Sequence, residues 1–116
     1  MRFVARLALL VVAMLMGVHS LLAQKKAAEL LVGQWEPIEQ DKIKVVIEFT
    51  RDGKLLISIG EKTLRGTYRV LDDSNVEVTI DVEGKPQTEK LQVFFSQNEM
   101  TTVDSRGKKD TFRRIK

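Results

Sequence analysis

The sequence predicts an all-β domain, an eight-stranded antiparallel up-and-down meander placed behind an export signal. Three observations carry that expectation: side chains alternate with period two from Val45 onward, turn residues recur at short intervals, and an apolar N-terminal run ends before the alternation begins.

The N-terminus has the three parts of a secretory signal, with Arg2 and Arg6 as a basic start, Leu7 to Val18 as an apolar run, and Ser20 or Ala23 as a small-residue exit. A spanning helix needs roughly 20 apolar residues, so the run favours a cleaved signal over a membrane anchor. Cleavage after Ala23 divides the chain into a signal peptide, residues 1–23, and a mature domain, residues 24–116. Cleavage after Ser20 is the alternative, because Leu21 stands where a small residue is usual. The expected destination is the periplasm or the medium.

Removing residues 1–23 takes Arg2 and Arg6 from the 19 basic side chains and none of the 16 acidic ones, which leaves 17 against 16. The basic character of the precursor is therefore no argument for nucleic acid. The only histidine, His19, leaves with the signal, and the chain has no cysteine. A mature chain of 93 residues, 23 fewer than the full 116, is one domain near the lower size limit for an unstapled core. Its stability has to come from burial and from a sheet with few free edges.

Lys25 to Leu31 places Ala27, Leu30 and Leu31 at helical spacing, and Gly33 stops that short helix or 3₁₀ turn. The Trp35 segment is the first strand. In the second, Val45, Ile47 and Phe49 share one face against Lys44, Glu48 and Thr50. Asp52-Gly53 marks a tight hairpin into a third strand with Leu55, Ile57 and Ile59 inward. Gly60-Glu61-Lys62 turns into a fourth, where Leu64, Gly66, Tyr68 and Val70 alternate with Thr63, Arg65, Thr67 and Arg69. After Asp72-Asp73-Ser74-Asn75, a fifth strand sets Val76, Val78, Ile80 and Val82 inward. Glu83-Gly84-Lys85 ends it, and Pro86 opens a sixth strand with Leu91, Val93 and Phe95 inside and Phe94 outside. Two short strands follow, around Met100 to Val103 and from Asp110 to Ile115. No helical stretch is long enough for a parallel crossover, which excludes α/β folds. Eight strands in this order close into a small barrel or split into a two-sheet sandwich.

The segment Val32-Gly33-Gln34-Trp35-Glu36 resembles the Gly-x-Trp signature that opens the first strand of lipocalins and other calycins. With Glu48-Phe49-Thr50-Arg51-Asp52-Gly53-Lys54 and Gly66-Thr67-Tyr68, it makes the chain similar to short exported bacterial lipocalin-like proteins, including a paralogous planctomycete family. The likeness covers nearly all of the mature chain. It implies a small calycin-type barrel whose end is plugged by Gly33 and Trp35, with Arg113 or Arg114 of the last strand packed across the indole. It implies no particular ligand, since one fold hosts many functions.

Catalysis is argued against by absence. Ser–His–Asp and Cys–His sites need a histidine that the mature chain lacks, and zinc sites normally use His or Cys. No metal or cofactor is expected. Asp72 and Asp73 lie in a segment whose composition is that of a turn, and calcium would need more oxygens than Ser74 and Asn75 add. The acidic side chains fall on outward strand positions and turns, which argues against paired catalytic carboxylates. Lys108, Lys109, Arg113, Arg114 and Lys116 form a basic C-terminal stretch diluted by Asp104 and Asp110, which reads as a solvated face. Oligonucleotide binding needs exposed aromatics beside basic residues, and Phe94 is the one candidate.

Two functional readings remain. In the first, the domain is a non-enzymatic structural or protein-interaction module of the cell envelope, with a barrel filled by its own side chains. In the alternative it carries a small apolar ligand in a barrel mouth lined by Phe49, Ile57, Tyr68, Val78 and Phe95.

Overall fold

A computed structural model describes residues 27–40 and 42–116. The expected signal peptide and the first residues of the expected short helix lie outside them, while residues 27–31 are helical. Eight strands follow: β1 (Gly33–Pro37), β2 (Val45–Phe49), β3 (Lys54–Ile59), β4 (Lys62–Val70), β5 (Asn75–Val82), β6 (Lys85–Ser96), β7 (Glu99–Val103) and β8 (Lys109–Arg114). Each is antiparallel to the next, and β8 returns to β1 with Trp35 opposite Arg114, so the sheet closes into a barrel. Closure decides against the sandwich. It pairs the first and last strands, the two edges that would otherwise present free backbone groups.

The alternation places the core as its period requires. Phe49, Leu55, Val76, Val78, Val93, Met100 and Phe112 are buried inside, and Ile47, Ile57, Tyr68, Val70, Ile80, Leu91 and Phe95 pack against them. Phe94, one position out of phase, faces outward and is 51% exposed. Gly66 occupies an inward position of β4 opposite Leu55 and Ile80. A Cβ there would run into the Thr79 carbonyl, so the missing side chain lets β4 and β5 coil tightly at this corner of the barrel.

The strands are staggered. β6 is twelve residues long, yet its pairing with β7 begins only at Gln92, while β5 accompanies it from Lys85. Residues 85–90 of β6 therefore project beyond the wall formed by β7 and β8, and all of them are exposed. Pro86 is the second residue of β6, paired with Asp81 of β5 but with no strand on its other side, where its missing N–H breaks no ladder. No helix among the described residues is long and apolar enough to cross a membrane.

Candidate functional site

The two ends of the barrel differ in construction. One is closed by the segment that joins residues 27–31 to β1. Trp35 is 0% exposed, and its indole Nε1–H donates to the Leu31 carbonyl at 3.0 Å. A buried indole needs such a partner. Of the two candidate arginines, Arg114 stacks on the indole, its guanidinium carbon 4.3 Å from the ring centroid. The same guanidinium donates to the carbonyl of Val32 at 2.9 Å and to that of Leu30. It thus ties the chain before β1 to the last strand. Arg113 points outward and pairs with Glu36 at 3.2 Å.

Gly33 explains the first letter of the motif. Its φ is +137°, and a Cβ would stand 2.5 Å from both the Arg114 guanidinium and the Lys116 carbonyl. Only glycine lets the arginine and the C-terminal backbone approach this closely. The join is completed by Gln34 N–H donating to Lys116 O at 3.0 Å and Ile115 N–H donating to Gln34 O at 2.8 Å.

Inside, the aromatics of the expected ligand set pack against one another and against the plug. Phe95 lies 6.1 Å from Trp35, and Phe49 meets Tyr68 edge-on at 5.0 Å. The Tyr68 hydroxyl donates to the Thr50 carbonyl. Burial, with the Asp52 charge nearby, raises the pKa of this phenol above the ordinary tyrosine value. The Thr50 hydroxyl holds the Asp52 carboxyl below its ordinary range, with the Lys54 charge adding to the effect. Phe49, Ile57 and Val78 border an interior cavity of only about 90 Å³.

The opposite end is open. A cavity of about 480 Å³ has Leu64, Val78, Ile80 and Val82 as its apolar floor. On one side stand Gln87, Thr88 and Glu89 of β6, and on the other Asp104, Ser105 and Arg106 of the β7–β8 turn. The turn is held by the Asp104 carboxylate, which accepts from the backbone N–H groups of Arg106 and Lys108, each at 2.9 Å.

Of the five residues expected at a ligand-lined mouth, Val78 alone borders this cavity; Phe49, Ile57, Tyr68 and Phe95 lie elsewhere in the core. The displacement has a physical cause. Inward orientation can be read from alternation, but depth along the barrel axis depends on the stagger between strands. Glu89 also corrects an expectation, since it shares the inward phase of Leu91 and Val93 rather than facing outward. That signal was present in the sequence: Gln87 and Glu89 continue the inward series Leu91, Val93, Phe95 with polar side chains.

Asp72 sits at the plugged end, where its carboxylate accepts from Ser74 N–H at 2.9 Å and from the Asn75 side chain at 2.9 and 3.0 Å. The Ser74 bond and then the Asn75 bond lower its pKa. Phe94 borders a depression of about 260 Å³ beside Leu30 and Ser74. No protein-family model matches the chain, and no curated protein matches it.

Proposed function

We propose that the mature chain is an exported, non-enzymatic, lipocalin-like module of the cell envelope that acts through its surface rather than by enclosing a ligand. The small interior space carries this reading. About 90 Å³ is the room of a few waters, each of which takes roughly 30 Å³ in the liquid. Pockets for drug-sized molecules run from about 300 Å³ upward. Trp35, Phe49, Tyr68 and Phe95 fill with their own rings the part of the barrel where a calyx ligand would sit.

The second reading is a carrier of a small apolar ligand, and it rests on the open-end cavity of about 480 Å³ with its floor of Leu64, Ile80 and Val82. In that case the binding residues are these and Val78, not the aromatics.

Native mass spectrometry of the protein purified from its own host separates the two readings. The module reading expects the bare polypeptide mass. A stoichiometric small molecule that stays with the chain through purification would overturn it in favour of the carrier. Export itself is tested by the N-terminal sequence of the purified protein, which should begin at Gln24 or Leu21. A chain that still began at Met1 would contradict the signal assignment.

A further inference from the structure

The open end carries a feature that a filled barrel leaves for other use. In an antiparallel pair, alternate residues direct both backbone groups to the same neighbour. Val93 N–H donates to Ser74 O at 2.8 Å, which places the odd-numbered residues of β6 in hydrogen-bonded pairs with β5. The same phase follows from Leu71 N–H donating to Asn75 O across β4 and β5 at 2.8 Å. The even-numbered residues of β6 therefore turn their N–H and C=O groups to the other side. From Gln92 onward that side is β7, but opposite Pro86, Thr88 and Lys90 there is no strand.

The edge borders the cavity of the open end, between Thr88 and the turn at Ser105. Two charges face it from opposite walls, Glu89 from β6 and Arg106 from the turn, and neither belongs to an ion pair among the described residues. Beneath them is the apolar floor at Leu64, Ile80 and Val82. We infer that the free edge of β6 at Thr88 and Lys90 is a docking site for an extended peptide segment of a partner protein, which adds a short strand to the barrel wall. The inference rests on the module reading above.

The chemistry of the partner follows from the walls. Main-chain groups pair with Thr88 and Lys90, and side chains on alternate positions point into the cavity. The inward side chains must combine an apolar residue for the floor with a cation for Glu89 and an anion for Arg106. A second copy of the chain fits poorly. Pairing two β6 edges about Thr88 places Pro86 opposite Lys90, whose carbonyl then finds no N–H to accept from, and sliding the register to place Thr88 opposite Lys90 sets Glu89 against Glu89.

Hydrogen exchange of individual backbone amides in the protein purified from its host tests the proposal, with an end-blocked pentapeptide of lysine, threonine, valine, threonine and glutamate as probe. Without peptide, the amides of Thr88 and Lys90 should exchange fast while those of Gln87 and Glu89, bonded to β5, are protected. Excess peptide should slow Thr88 and Lys90 by at least about tenfold and leave Gln87 and Glu89 unchanged. The variant T88P removes the edge donor without touching the β5 ladder, and it should abolish protection at Lys90. Should T88P fail to fold, the response of Thr88 and Lys90 to the peptide in the natural protein still decides. Amides already protected without peptide, protection that rises with protein concentration alone, or indifference to the peptide would each overturn the docking site. A dry protein with an unresponsive edge removes this inference and leaves the module reading intact, whereas a co-purifying small molecule removes the module reading first.

Discussion

At the plugged end a fully buried Trp35 is held by the Leu31 carbonyl and covered by Arg114, whereas at the open end Ile43 and Ile59 stand 58% and 38% exposed. The open end is instead held by hairpin turns such as the Asp104 loop, which bonds to its own backbone. Self-bonding turns occur at both ends, at Asp104 and at Asp72, and Ile38 N–H donates to the distant Thr111 O at the open end. What sets the plugged end apart is the buried indole under a stacked guanidinium. Burial of the indole makes the plugged end the more stable of the two, and the exposed isoleucines mark the open end as the less stable.

The largest test of that division is Trp35→Ala. Losing a fully buried indole should cost about 3 to 5 kcal/mol, a large share of the total stability of a small domain. A denaturant melt with an unchanged midpoint would contradict the plug. Gly33→Ala comes next, because it strains the backbone at φ +137°, with a cost of about 1 to 3 kcal/mol, and displaces the Arg114 guanidinium as well. Arg114→Met should cost about 2 kcal/mol through the lost stacking and the two carbonyls left without a donor. The exposed Arg113→Met should cost less than about 1 kcal/mol. Equal melts for the two arginine variants would erase the distinction between inward and outward positions on β8.

At the open end, Val82→Ser should lower stability by no more than about 1 kcal/mol, since the side chain is only half-buried at the cavity. A loss as large as that of Trp35→Ala would show that the open end also holds the fold. The smallest expected effect is a pH dependence at Tyr68, the only tyrosine, whose phenolate absorbance can be read as a single titration. Its folded pKa is raised, so the associated stability is fully present below the unfolded value near about 10 and is lost as pH climbs through the folded one. Ionisation at or below the ordinary tyrosine value would show that the phenol is not enclosed.

How much of this was legible beforehand depends on the kind of signal. The strands were, because Val76, Val78, Ile80 and Val82 against Glu77, Thr79 and Asp81 leave one face to bury whatever the rest of the chain does. Phe94, out of phase with Val93 and Phe95, is outward for the same reason. The candidate binding residues were not legible. Phe49 and Val78 look alike as inward positions in the sequence, yet Phe49 packs on Tyr68 toward the plug and Val78 reaches the open cavity.

By itself, the amino-acid order determined which side chains face inward and where the chain reverses, because both are set by neighbours within a few positions: the two-residue period of an extended backbone and the φ tolerance of turn residues. Barrel closure, the selection of Arg114 over Arg113, the requirement for glycine at position 33 and the unaccompanied edge of β6 were decided only in three dimensions. The first three depend on the pairing of β1 with β8, which are remote in sequence, and the fourth on β7 ending at Val103 while β6 extends back to Lys85. Register comes from packing the whole inner face at once, so no local stretch of the chain encodes it.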